Sequence, residues 1–440
     1  MKRLLRERTD CRHLWLVLCL SFCIRGGAAW WWQSRLPDAT SFALPDSESY
    51  WYLGRALARG EPYAFPDARF RVFRAPAYPL WLSLWLRIWP GDELPVIVVR
   101  LWGAFLGTVV VYQAWRLGRR LYGPHAAIVA GVLVAGYPGA VSMSILVLSE
   151  SLFVPLMLSA VLAWAWASDG TGYWDVGRRA GAAGVWSGLA ALTRPSWLLF
   201  VPLACVLAGV DGRLSVQKRA ALVAGTLAGL VLTMSPWWIR NAHCTGHFVP
   251  TTLQVGASLY DGLNPRADGG SDMWFADAFR RRVASGMAVR GGEADGDFEW
   301  QLDREYRRAA WAWARAHPWR ALHLGLIKLR RTWQPWPQGG LVRSSAVASV
   351  VAFGYVTIFL FGMAGWIATR GRGWIVWLPL VYIAYTAALH VVFVGSIRYR
   401  QPAMVWWSVP AAWAMWWLWE RLGSARGDGT THRQVGHERR

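Results

Sequence analysis

The sequence predicts an all-α integral membrane protein, a polytopic helical bundle of about ten transmembrane helices, on three observations. Hydrophobic residues make up 55% of the 440 positions and charged ones only 17%, a balance far from that of soluble domains. Lys+Arg 47 minus Asp+Glu 26 leaves +21, and so apolar a chain keeps its surplus cations in loops at a membrane surface. The 33 Trp suit the bilayer interface, where indole sets its apolar body in lipid and its N–H in water. This balance excludes a nucleic-acid binder, a disordered chain and a disulfide scaffold. Of Cys11, Cys19, Cys23, Cys205 and Cys244, four lie in or beside apolar runs and none forms a CxxC pair, so metal and redox roles are not expected.

A helix needs about 20 apolar residues to cross a bilayer core. That ruler places spans at 14–32, 94–115, 125–143, 147–167, 181–193, 196–210, 220–238, 345–368, 374–394 and 402–419. The start resembles a signal peptide, but Arg25 and Trp30, Trp31 and Trp32 stand where a cleavage site would be, and an uncleaved first helix is expected. Arg194-Pro195 separates the short fifth and sixth spans. Pro removes a backbone donor and Arg is costly in hydrocarbon, so the chain is expected to reverse there.

Orientation follows the basic connections. Arg116, Arg119 and Arg120, then Arg178 and Arg179, then Arg213, Lys218 and Arg219, then Arg370 and Arg372 alternate along the chain and mark the cytoplasmic side. With ten spans the head (Lys2, Arg3, Arg6, Arg8, Arg12) and a basic, disordered tail at 421–440 fall on that side too, so both termini are cytoplasmic. Residues 1–420 form one polytopic domain with two long outer segments, 33–93 and 239–344. No large soluble domain is expected after the tenth span. The run 298–333, interrupted by Pro318 and carrying Trp311, Trp313, Trp319 and Trp333 among arginines, reads as one or two helices lying in the outer interface.

Ionisable residues near membrane depth converge on the outer side. Glu150 opens the fourth span, Arg194 tops the fifth, Arg240 ends the seventh, and Arg398 and Arg400 precede the tenth. Intramembrane charge is costly and marks function. Arg presents a planar fork to phosphate oxygens and Lys a point charge, so a phosphate-bearing lipid fits. A carboxylate would activate an acceptor as general base or stabilise positive charge on a sugar ring. Asp46, just before a predicted helix, suits general base and N-cap equally. Glu48 reads first as a solvated residue of the first turn, Arg74 as a possible headgroup anchor, and Arg194 and Arg240, each taken alone, as interfacial snorkellers. Lys328, with Arg330 and Arg331, could face solvent on the interfacial helix. His243, His247, His317 and His323 lack metal-ligand spacing, and the glycine-rich stretches 262–272 and 291–296 lack the strand-turn-helix context of nucleotide loops.

The segment Asp46-Ser47-x-x-Tyr50, with Leu53, Ala56, Leu57 and Gly60, then Arg74-x-Pro76-x-Tyr78-Pro79, resembles the first outer loop of family 39-type, C-fold bacterial glycosyltransferases. The resemblance continues through Arg100-Leu101, Leu121-Tyr122-Gly123, Tyr137-Pro138, Ser149 to Phe153, Gly188 to Pro195 and Pro236-Trp237-x-Ile239-Arg240-Asn241, and covers roughly Arg25 to Arg400. Weaker echoes are His317-Pro318 before Lys328, and Arg398-x-Arg400-x-Pro402. Such proteins, among them the protein O-mannosyltransferases and lipid A aminoarabinose transferases, use polyprenyl-phosphate sugars on the outer side of the membrane.

The resemblance implies an inverting glycosyltransferase of the bacterial cytoplasmic (inner) membrane, with a polyprenyl-phosphate-linked sugar as donor and an envelope lipid, polysaccharide or protein as acceptor. Asp46 would be catalytic. Arg74, Arg194, Lys328 and Arg400 would stabilise the leaving phosphate, with Glu48, Glu150, Arg240 and Arg398 also at the substrate and Tyr50 and Tyr78 packing against sugar or isoprenoid. Ser47 separates Asp46 from Glu48, where the protein mannosyltransferases carry adjacent Asp-Glu, which weakens a protein acceptor. No cofactor or metal is assigned. The rival reading from another class is a transporter or flippase of lipid-linked sugars, disfavoured because no paired halves are found and the charges gather at one face. A non-catalytic envelope assembly factor would keep the fold without the chemistry.

Overall fold

The computed structural model describes residues 2–42, 44–89, 93–289, 297–337 and 344–434; the expected glycine-rich patch at 291–296 and the end of the tail, 435–440, lie outside them. The described residues are helical throughout, without a strand. α1 (Lys2–Gln33) leads into α2 (Pro45–Ala58) and α3 (Ala77–Ile88) of the first long connection. Then follow α4 (Val96–Tyr122), α5 (Pro124–Gly136), α6 (Pro138–Ile145), α7 (Glu150–Ser168), α8 (Tyr173–Thr193), α9 (Trp197–Val210) and α10 (Val216–Thr245). The second long connection folds as α11 (Val255–Gly262), α12 (Met273–Val289), α13 (Phe298–Ala316) and α14 (Pro318–Trp333). The chain closes with α15 (Ser345–Thr369), α16 (Trp374–Val392) and α17 (Gln401–Gln434), which carries helix past Arg421 into the segment where composition alone predicts disorder.

Each of the ten expected spans coincides with a helix or helix pair. Six of these helices are long and apolar enough to cross a membrane, in α1, α4, α7, α10, α15 and α16, and a seventh crossing results if the pair α5–α6 is one bent span. α9 is apolar but short, and it meets α8 at Arg194-Pro195, the expected reversal.

Two features show how small and charged residues build the bundle. α5 and α6 meet at 59° because Pro138 has no N–H for the helical ladder and turns the chain. The carbonyls this leaves at Val134 and Ala135 are taken by buried Arg25 of α1, whose Nη2 and Nη1 donate to them at 2.9 and 3.1 Å. Arg25 therefore satisfies a broken helix inside the bundle, where an unpaired carbonyl is costly. Buried Arg100 of α4 similarly donates Nη1 to Ile145 O, at the end of α6, at 2.9 Å.

α8 and α10 approach backbone to backbone along glycines. A Cβ at Gly229 would stand 2.1 Å from Gly181 O, and one at Gly225 2.2 Å from Gly177 O. Without a hydrophobic force between helices in lipid, such close approach is what packs them. Gly229→Val is expected to destabilise the bundle by about 3 kcal/mol, read as a lower unfolding temperature in detergent. Gly209→Ala, where a Cβ meets nothing within 4 Å, is the control expected to leave that temperature unchanged or raised.

Candidate active site

Five separate stretches of the chain deliver charged side chains to one place. Glu150 is the first residue of α7, where the helix dipole favours a carboxylate, and it is fully buried. Arg194 caps the end of α8. Arg398 lies in the connection between α16 and α17, Asp46 in the first turn of α2, and Arg74 in the loop before α3.

Arg398 links the two carboxylates. Its Nε and Nη2 edge donates to both Glu150 oxygens, Nη2 to Oε2 at 3.1 Å, while its Nη1 donates to Asp46 Oδ2 at 3.0 Å. Arg74 Nη2 donates to the other Asp46 oxygen at 2.7 Å, and its Nη1 to Gln254 Oε1 at 3.2 Å. Arg194 Nη1 stands 2.6 Å from Glu150 Oε1. Three guanidiniums against two carboxylates leave the cluster at +3 − 2 = +1. Asp46 is its most open member, with 38% of its side chain exposed against 12–20% for the arginines and 0% for Glu150. Burial would raise the proton affinity of Asp46, but Arg74 and Arg398 outweigh it and hold the carboxyl well below the usual carboxylate range.

The N-cap role open to Asp46 in the sequence is not the one it takes. α2 begins at Pro45, so Leu44 is the N-cap, with no side-chain cap bond; Asp46 sits inside the first turn and turns its carboxylate to the arginines. Tyr50 and Tyr78 are buried and pack edge to face at 5.1 Å. Tyr50 lies 4.9 Å beneath the Arg74 guanidinium and donates to Ser149 Oγ at 3.3 Å, so these tyrosines support the cluster from below.

The remaining expected residues lie apart from this cluster. Glu48 is exposed in the first turn of α2. Arg240 donates to Tyr63 O at 3.0 Å and covers the Trp237 ring. Arg400 is fully buried, donates to Thr332 O at 3.1 Å and to Gln334 O, and lies 3.6 Å over the Tyr355 ring. Lys328 is also fully buried, against the expectation of a solvated face. Its Nζ donates to Val392 O at 2.7 Å, where the end of α16 leaves carbonyls unpaired and the dipole favours a cation. Burial lowers the Lys328 ammonium to about 8. Among the described residues no three His, Cys, Asp or Glu gather as metal ligands.

Residues 74–239 match the family model of the dolichyl-phosphate-mannose-protein mannosyltransferases. The match contains Arg74, Tyr78, Glu150 and Arg194; Asp46 and Arg398 lie outside it. No curated protein matches the chain by sequence. The oligosaccharyltransferase of Archaeoglobus fulgidus in its apo form aligns over 98% of this chain and 52% of its own, at 16% identity and a TM-score of 0.59. The same archaeal enzyme, AglB, with an inhibitory peptide and a dolichol-phosphate aligns over 99% and 53%, at 16% identity and a TM-score of 0.57. ArnT from Cupriavidus metallidurans in the apo state aligns over 92% and 76%, at 12% identity and a TM-score of 0.43; the fold assignment rests on the archaeal structures. The chain spans about half the length of the archaeal enzyme. Its architecture is the C-fold helical bundle expected from the sequence.

Buried carboxyls at Asp261, Glu299 and Asp303 escaped the sequence reading, and Glu299 bears on the site. Glu299 of α13 accepts the Arg71 and Val72 backbone N–H groups on Oε2, both at 2.9 Å, and so fixes the loop that presents Arg74. Its signal is a Glu on the apolar face of an amphipathic helix, in register with buried Leu302, Asp303, Tyr306 and Ala310. Burial raises the Glu299 carboxyl from its ordinary 4.5 to about 7 against the pull of those N–H groups. Between these values the folded chain keeps a proton that the unfolded chain has released. Stability present below pH 4.5 is therefore lost as pH rises through 7, by at most about 1.4 kcal/mol per unit. Glu299→Gln, which keeps an oxygen for the two N–H groups, is expected to unfold later than the wild type at pH 8 and to flatten this decline, as thermal unfolding across pH 5–8 would measure.

Proposed function

We propose that the chain is a glycosyltransferase of the bacterial cytoplasmic membrane, with the cluster facing outside and both termini in the cytoplasm. It moves a sugar from a polyprenyl-phosphate-linked donor to a lipid or other envelope acceptor. Residues 1–420 act as one catalytic domain. The observation that carries this reading is the open Asp46 carboxylate, paired with Arg74 and Arg398 in a cluster that Glu150 and Arg194 complete to a net charge of +1, which suits a neutral acceptor hydroxyl on one side and an anionic phosphate on the other. The match at residues 74–239 and the C-fold bundle support it.

In this mechanism the acceptor oxygen attacks the anomeric carbon as its proton passes to Asp46. The bond from that carbon to the phosphate oxygen breaks with inversion, and its electron pair leaves on the polyprenyl phosphate. The leaving group is stable as an anion, so no general acid is required, and the guanidiniums stabilise its developing charge. Lys328, Arg240 and Arg400 are left out, because each is engaged by backbone carbonyls elsewhere. Without a donor, Arg74 and Arg398 make Asp46 a weak base. A docking phosphate competes for the same N–H groups, draws them from Asp46 and raises its proton affinity when a proton must be taken.

Asp46→Asn is expected to lower transfer about 10²- to 10⁴-fold, measured with radiolabelled polyprenyl-phosphate sugars in membranes and with total lipid and protein extracts as acceptors. Full activity in that variant would overturn the role of Asp46. Label that moves in neither protein, with the wild type folded and inserted, would favour a transporter of the same lipid-linked sugars.

A further inference from the structure

Glu150 is placed unlike a substrate ligand. It is fully buried, its carboxylate faces two cations, Arg194 and Arg398, and it is joined to Asp46 through Arg398. By holding the Nε and Nη2 edge of Arg398 it leaves only Nη1 for Asp46. Arg194 Nη1 stands 2.6 Å from Glu150 Oε1, so Glu150 holds one nitrogen of Arg194 as well as one edge of Arg398. Tyr78, Tyr382 and Tyr399 also lie about Glu150 and carry no negative charge to replace its own.

We propose that Glu150 is a positioning residue, a buried counter-ion that holds Arg194 and Arg398 together as an anion cradle and keeps the Nε and Nη2 edge of Arg398 from closing on Asp46. This rests on the reading that the cradle takes the donor phosphate. Two consequences follow from charge. Removing the Glu150 charge raises the cluster from +1 to +2, which strengthens its hold on a phosphate. It also frees the Nε and Nη2 edge of Arg398 to pair with Asp46, and both guanidiniums to pair with the departing phosphate, which slows proton transfer and release. A residue that merely stabilised the fold would weaken binding and turnover together.

The test uses the full chain in phosphatidylcholine nanodiscs, with farnesyl phosphate as probe and farnesol as its uncharged control, followed by calorimetry and transfer kinetics. Glu150→Gln is expected to bind farnesyl phosphate about tenfold more tightly than the wild type, the size of one charge-assisted hydrogen bond, and to lower both KM for the donor and kcat. Glu150→Asp, which keeps the charge, is expected to bind the probe as the wild type does. Weaker probe binding by Glu150→Gln, or a wild type that does not prefer farnesyl phosphate over farnesol, overturns the proposal. Should Glu150→Gln fail to fold, Arg194→Gln brings the cluster to zero and is expected to bind the probe about tenfold more weakly; unchanged binding there overturns it equally. Tighter probe binding by Glu150→Gln in a protein that transfers no sugar would leave the cradle standing and remove the glycosyltransferase reading. Active wild type with weaker binding by Glu150→Gln would do the reverse.

Discussion

The five-membered ion network from Arg194 through Glu150, Arg398 and Asp46 to Arg74 is the interaction on which the arrangement of this protein depends. It joins the ends of α7 and α8, the connection before α17 and the first long loop in one set of charge contacts. Breaking a buried pair by removing one partner leaves an uncompensated charge and is strongly destabilising. Each loop is thereby committed to a single position against the bundle. The network is also unevenly buried, closed at Glu150 and open at Asp46, which gives it a structural end and a chemical end.

The same economy of unpaired groups organises the rest of the bundle. Arg25 answers the carbonyls freed at the α5–α6 bend, Arg100 the end of α6, Lys328 the end of α16 and Arg400 the carbonyls following α14. Each is a buried cation assigned to backbone oxygen, and none belongs to the cluster around Asp46. Hydrocarbon offers no water to such carbonyls, so a long cation reaching from a neighbouring helix is an effective partner. A chain rich in arginine thus uses part of its positive charge for architecture, while Arg74 and Arg398 pair with Asp46, the open carboxylate of the cluster.

Glu299 connects the second long connection to the site. Its carboxylate fixes the backbone at Arg71 and Val72, close in sequence to Arg74, while the Gln254 amide oxygen supports Arg74 directly. The large loop between α10 and α15 is therefore part of how the first loop is held, and the position of the Asp46 carboxylate is set jointly by segments more than two hundred residues apart.

Much was legible in the sequence alone. Apolar runs of membrane length located the helices, because a lipid-embedded backbone must satisfy its own hydrogen bonds and helix is the local way to do so. Pro318 and Arg194-Pro195 marked breaks, because a missing N–H acts within one turn. Glu150, Arg194, Arg240, Arg398 and Arg400 were identifiable as costly charges near one face, and Asp46 and Arg74 as residues of a motif on the first outer loop. What only the tertiary structure decided was which cation met which acceptor. Arg400 looked equivalent to Arg398 in residue type and depth, and Lys328 read as a solvated face, yet both turned to carbonyls, while Asp46 left the N-cap role to Leu44. Local pattern fixes where a charge sits along its own helix. Its partner is set by the packing of other helices, whose long-range contacts leave no periodic trace in the chain.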